Sequence, residues 1–302
     1  MLAAMNNDSV SGTWRMVAAM AISGTIGLVV VESGQTPLTV VFFRCLIGGA
    51  GLLAWLLVRR AWQPLSRADL GWLLLGGLSL VANWLCLFSA YRYVSISIAT
   101  VVYQTQPFML VVLAALLYRE RIAPGRLPWL ALAMVGVLLS SGLEWGHAEH
   151  APRWQGVALA CTAALLYAIS TLATQRLKHL PSAEIAAVQM AFGVIVLAPL
   201  ALPIATPLTL KGMAALATAG LVHTAFMYTL MYAAFQRLSS QAIAALSFVY
   251  PAVALLVDLV WFGAVPGPLQ WAGMALIVLT VVAHRRDWDL LALLKARKPR
   301  AV

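Results

Sequence analysis

The chain has 302 residues, of which 62% are apolar and only 10% charged, with a mean hydropathy of +0.89 and a formal net charge of +10. Soluble domains carry roughly 25% charged residues, so this composition excludes an ordinary water-soluble globule. The apolar runs are too long and too continuous for barrel strands, so the fold class expected is an all-α membrane protein.

In chain order the expected spans are 15–33, 37–58, 69–90, 95–118, 127–143, 154–175, 183–203, 212–234, 240–262 and 267–284. A hydrocarbon core of about 30 Å needs about 20 apolar residues per helix, which these ten runs approach or exceed. The first span doubles as an uncleaved signal anchor without changing this reading. Sequence marks repeat: Pro37, Gly49, Gly76, Ala90, Ser95 and Pro107 recur 144 positions later as Pro181, Gly193, Gly220, Ala234, Ser239 and Pro251. Pro124, Gly125 and Trp129 recur at a spacing of 142 as Pro266, Gly267 and Trp271. Five spans per copy is an odd number, so the second copy enters the bilayer from the opposite side. The chain is therefore expected to divide into residues 1–148 and 149–302, two inverted-topology five-helix repeats, the second followed by a basic tail. Inverted repeats of this kind build secondary transporters with a midplane site and alternating access.

Charge placement sets the expected topology. With the N-terminus in the cytoplasm, Arg92, Arg153 and Lys211 alone fall outside, Arg44 lies within a span, and the other 16 of 20 Lys and Arg fall inside. That asymmetry is the positive-inside signal and puts both termini in the cytoplasm. It accounts for the net charge without nucleic acid. The tail, Arg285 to Arg300, is also placed to meet anionic lipid headgroups. Cys45, Cys86 and Cys161 fall inside spans without metal-ligand spacing. No metal, cofactor, nucleotide loop or paired catalytic set is indicated, so the chain is not read as an enzyme, and transport is driven by a gradient or is passive.

Polar groups at membrane depth demand partners or a water-filled cavity. On span four Tyr103, Gln106 and Pro107 share a face, as do Ser247, Tyr250, Pro251 and Asp258 on span nine. The equivalent prolines, Pro107 and Pro251, each remove a backbone hydrogen bond at the same depth, which makes them candidate hinges. Asn83 on span three and His223 on span eight are candidates to bind a substrate amine or carboxylate, or to glue helices together. His223 is also the best proton carrier by residue type. Span six offers Tyr167, whose ring can stack on a substrate, and Ser170, Thr171 and Thr174, which can instead bond back to their own helix. Ser23, Gly24 and Gly27 form a small-residue face suited to close helix approach. Arg44 is expected to be neutralised by Glu32 or Asp258 in a structural or gate ion pair, with direct substrate binding as the alternative. Eight tryptophans near span ends read as an interfacial belt, whereas Trp84 and Tyr228 lie deeper.

The segment QPFMLVVLAALLYRERIAPGRLPWLALAMVGVLLSSG, Gln106 to Gly142, and VVFFRCLIGGAGLL around Arg44 resemble EamA-type members of the drug/metabolite transporter superfamily. The resemblance covers nearly the whole chain and implies ten helices in two inverted copies in a bacterial inner membrane. In general character the chain is most similar to the YddG-type exporters of aromatic and other neutral amino acids. It departs at LVWFGAVPGP, where Gly263, Ala264 and Val265 lack the acidic residue the family usually places there. The substrate implied is an amino acid or similar amphiphilic metabolite, contacted by Tyr103, Gln106, Ser247 and Tyr250 with Asn83, Tyr167 and His223. The rivals are proton-coupled efflux of lipophilic cations or drugs, for which Asp258 is the candidate carboxylate, and a non-transporting membrane scaffold. Oligomeric state is left open.

Overall fold

The computed structural model describes residues 2–90, 92–94, 96–121, 123–141, 154–202, 207–263, 265–286 and 288. Ser95, Gly142, Trp145, Arg153, Ala264 and the tail beyond 288 lie outside them, as does the side chain of Asp258.

Every apolar run is helical where described, and no strand occurs among the described residues. The first run is broken into α1 (Leu2–Gly24) and α2 (Ile26–Ser33), and the next two are the unbroken α3 (Pro37–Arg59) and α4 (Arg67–Ala90). The fourth run is broken into α5 (Ile96–Tyr103) and α6 (Gln106–Tyr118); α7 (Leu127–Ser140), α8 (Trp154–Arg176) and α9 (Ser182–Ala201) follow. The eighth run comprises α10 (Leu210–Gly220), a π-helical turn (Leu221–Phe226) and α11 (Met227–Phe235). The ninth is α12 (Ser240–Ser247) and α13 (Val249–Phe262), and the last is α14 (Pro268–Arg285). The first helix starts at Leu2, well before the apolar run that marks it in the sequence. Among the described residues eight segments are long and apolar enough to cross a membrane, and Leu127–Ser140 and Pro268–His284 are shorter apolar helices.

Local chemistry sets the helix ends. The hydroxyls of Thr36, Thr209 and Ser239 accept from the backbone N–H three residues on, which starts α3, α10 and α12 by satisfying N–H groups that have no carbonyl partner. Gly34 closes α2 at φ 61°, a left-handed conformation that costs a residue with a Cβ.

The helices pair across the bundle: α4 on α8, α1 on α11, α3 on α9, α6 on α12, and α7 on α14. Small residues permit the closest of these. A Cβ on Gly273 would stand 2.5 Å from the Gly136 carbonyl oxygen and 2.6 Å from the Ser140 nitrogen, so α7 and α14 touch backbone to backbone. One apolar core, including Leu80, Leu110, Met190 and Phe235, runs through the bundle. Val58, Leu116, Ile195 and Leu210 stand exposed on the outside. That inversion of the soluble pattern fits a lipid solvent, in which only helices with internally satisfied backbones span.

Candidate functional site

Four of the runs lose regular helix around one cavity. The first breaks at Thr25, the fourth at Gln104–Thr105, the eighth at its π turn and the ninth at Phe248. The two proline-containing breaks are equivalent. Pro107 offers no N–H to the Tyr103 carbonyl, nor Pro251 to that of Ser247, and each break falls within three residues before its proline. Within the π turn the His223 carbonyl accepts from Arg44 Nη2 at 3.2 Å. Such turns are rare and concentrate at functional sites.

The cavity has a volume of about 400 Å³, within the roughly 300–1,000 Å³ range of small-molecule sites. Tyr103, Gln106, Tyr167, His223, Ser247 and Tyr250, all singled out from sequence, line it together with Arg44 and Trp84. Asn83 does not; it is fully buried behind Tyr103, whose hydroxyl donates to Asn83 Oδ1 at 3.0 Å. The rings stand in two contacting groups. Tyr103 and Tyr167 lie 6.1 Å apart, Trp84 meets Tyr228 edge-on at 6.5 Å, and Tyr228 meets Tyr232 edge-on at 5.3 Å. The Tyr167 hydroxyl points at Met231 Sδ, 3.4 Å away. Ser247 and Thr171 bond back to carbonyls of their own helices, at 2.8 and 2.9 Å.

His223 is held on both ring nitrogens, by the Thr25 hydroxyl at 2.8 Å and the Thr218 carbonyl at 3.3 Å. A carbonyl only accepts, so Nδ1 carries a proton toward Thr218, while Nε2 shares a hydrogen bond with the Thr25 hydroxyl, whose single proton also faces the Ile22 carbonyl at 2.8 Å. The residue thus staples the break in the first run to the π turn of the eighth.

The expected neutralisation of Arg44 by Glu32 is corrected. Glu32 is paired with Lys211 and accepts from Trp261 Nε1 at 3.2 Å. Both partners belong to the end of the bundle where α2 finishes and α10 begins, beyond the depth of Arg44. Gly27 is corrected as well. A Cβ on Gly24 would strike Val253 at 2.7 Å, as close packing requires, but one on Gly27 would meet nothing within 4 Å, and Gly27 lines the cavity. Sequence reasoning also missed Gln104 and Thr100 on the same wall. Thr100 lies within α5 and Gln104 at the break that follows it, which only the nearby proline signalled.

The cavity extends from mid-bundle toward the end where α2 and α4 finish and α3 and α5 begin, since Val31, Val40, Leu87 and Thr100 line it. At the opposite, arginine-rich end a second opening of about 610 Å³ is lined by Glu120, Arg176, Lys178 and Arg237 among others. Leu110, Ala114, Leu172, Tyr232 and Phe235, on the stretches of α6, α8 and α11 between the residues lining the two, are buried. A polar seam closes this end. Glu120 Oε1 lies 3.1 Å from Ser240 Oγ and Oε2 lies 3.3 Å from the Ser240 nitrogen. Gln241 Nε2 donates to the Arg121 carbonyl at 2.7 Å, the Tyr118 hydroxyl donates to the Leu172 carbonyl at 2.7 Å, and Arg176 stacks on the Tyr118 ring at 3.9 Å.

A broken-helix cavity, sealed from one end and reaching toward the other, is the geometry of a translocation pathway. The family model described as "EamA-like transporter family" matches the chain twice, over residues 11–142 and 154–284. The chain belongs to the EamA-like transporter family. It is 29% identical over 266 residues to the transporter YxxF of Bacillus subtilis (strain 168), covering 87% of this chain and 86% of that one. It is 33% identical over 121 residues to the pseudopaline exporter CntI of Pseudomonas aeruginosa, 40% of this chain and 42% of that one, in strain UCBPP-PA14 and likewise in strain PAO1. A crystal structure with 22% identity shares the fold at a TM-score of 0.80, over 92% of this chain and 99% of its own. This EamA-like protein is therefore a multi-pass membrane transporter for a small molecule, not an enzyme.

Proposed function

We propose that this EamA-like transporter exports aromatic and other neutral amino acids, or similar amphiphilic metabolites, across a bacterial inner membrane by alternating access. The observation that carries the reading is the cavity, where tyrosines and a tryptophan from five different runs surround sparse polar groups. Such a wall suits an apolar body with a small polar head better than a phosphate or sugar. The likeness of 40% of the chain to a protein named as an exporter favours outward transport. The rival reading, efflux of lipophilic cations, requires a carboxylate at the cavity; the wall instead carries Arg44, and no acidic side chain lines it among the described residues.

In this proposal the chain is ten transmembrane helices in two inverted repeats, residues 1–148 and 149–302, with both termini cytoplasmic. The pairings support it: α4 on α8 in one place is answered by α11 on α1, their repeat equivalents. The double match of one family model, over 11–142 and 154–284, supports the same division. The arginine-rich end is then cytoplasmic and the structure is in its outward-facing state. Pro107 and Pro251 act as hinges about which half-helices rock, and Tyr103, Gln106, Ser247 and Tyr250 contact substrate.

The test is flux into proteoliposomes of labelled phenylalanine, tryptophan, threonine and tetraphenylphosphonium, with and without a pH gradient. Saturable amino-acid flux is expected, and its response to the gradient reports coupling. Flux of tetraphenylphosphonium alone would overturn the reading in favour of cation efflux.

A further inference from the structure

Arg44 is 8% exposed, lines the cavity, and meets no carboxylate among the described side chains. What holds it is neutral. Nε donates to Thr224 Oγ1 at 3.2 Å, Nη2 donates to the His223 carbonyl at 3.2 Å, and the Trp84 ring lies 5.3 Å from the guanidinium carbon. Neutral acceptors and a ring face orient a guanidinium without cancelling its charge, and an uncancelled charge at membrane depth is costly. Those bonds also leave part of its five N–H donors unused. Two further donors share the wall. Gln104 and Gln106 are 5% and 3% exposed, and the Nε2 of each lacks an acceptor among the described residues.

The wall is thus rich in spare donors beside an aromatic surface. The ligand group that matches it is a compact anion able to accept two parallel N–H bonds, a carboxylate. Thr224, which fixes the guanidinium, is itself fixed by its bond to the Ala219 carbonyl at 2.9 Å, a partner five residues back that the π turn brings into range. The irregular turn therefore presents the arginine in a set orientation rather than leaving it to swing.

We propose that Arg44 is the carboxylate receptor of the cavity, so that the transported molecule, not an acidic side chain, supplies the charge that neutralises it. This rests on the reading of the cavity as the substrate site. It assigns Arg44 a specificity role: the substrate must bring a carboxylate, and its apolar or aromatic body lies along Trp84, Tyr228 and Tyr167.

The test uses purified full-length protein in lipid nanodiscs and four probes: phenylalanine, phenylalaninamide, 3-phenylpropionate and phenethylamine. Calorimetry and thermal shift give their relative affinities, which needs no variant. The two carboxylates are expected to bind about 10- to 100-fold more tightly than the amide and the amine, the range for a lost bond to a charged group. Arg44→Gln is expected to erase that preference by weakening the two carboxylates, while phenethylamine, a cation relieved of a like charge on the wall, binds no more weakly than before. Equal binding of phenylalanine and phenylalaninamide would overturn the role of Arg44 and leave the amino-acid reading standing. Binding of 3-phenylpropionate without phenylalanine would keep the carboxylate receptor and overturn the amino-acid reading. Binding of none of the four would overturn both.

Discussion

Glu120→Gln isolates the seam that closes the arginine-rich end. The Glu120 carboxylate faces both the nitrogen and the hydroxyl of Ser240, at 3.3 and 3.1 Å. That hydroxyl also lies 3.1 Å from Gln175 Oε1, but its single proton serves one acceptor at a time, and the charged one is stronger. The contact sits at the start of α12, where a negative charge also favours the helix dipole. Replacing carboxylate by amide keeps the shape and turns two charge-assisted bonds into neutral ones. At a half-exposed site this weakens closure by about 1–2 kcal/mol, a shift of about 5- to 30-fold in the ratio of closed to open. Spin labels at the exposed Arg121 and Arg237, with the three cysteines replaced by alanine, report that ratio as a distance distribution. Glu120→Gln is expected to add a longer-distance population. Ser240→Ala is expected to do the same, with the double variant adding less than the sum of the two. Identical distributions in Glu120→Gln and the unmodified protein would refute the seam as the closing element.

Three other perturbations have expected outcomes. Tyr103→Ala removes both the ring facing Tyr167 and the partner of fully buried Asn83, so transport is lost; Tyr103→Phe leaves the Asn83 amide short of a partner and costs about 1–3 kcal/mol of stability, read by thermal unfolding. Gly273→Ala puts a Cβ 2.5 Å from a backbone oxygen of α7, so the melting temperature falls, by an overpacking cost of about 1–3 kcal/mol, while flux per folded molecule holds because neither helix lines the cavity. Pro251→Ala returns an N–H to the Ser247 carbonyl and regularises the ninth run; slower flux with unchanged substrate affinity is expected, and unaltered flux would remove the hinge role.

Much of the bundle was legible because a bilayer imposes one rule, an apolar run long enough to satisfy its own backbone. The ninth run begins at Ser240 as expected, whereas the eighth begins at Leu210, two residues before the expected 212, where the Thr209 hydroxyl caps it. The tyrosines of the cavity were found because polar atoms inside apolar runs stand out. The breaks were only half visible. Proline marks those near Gln104 and Phe248, but no proline stands beside the break at Thr25 or the π turn at Leu221–Phe226. The partner of Glu32 was missed because Lys211 lies in the other half of the chain and only the fold brings it near. Gly27 read as a packing glycine because its spacing from Gly24 gives no sign of which face meets a helix and which meets empty space.

Gly27→Trp probes the central claim, that substrate passes through this cavity, most directly. Space beside Gly27 is open, with nothing within 4 Å of an added Cβ, so an indole there grows into the cavity without displacing the helix packing. Labelled phenylalanine flux through proteoliposomes of this variant, normalised to folded protein, is expected to fall to background at an unchanged melting temperature. Flux at the unmodified rate in the folded variant would contradict the account and place the pathway elsewhere in the bundle.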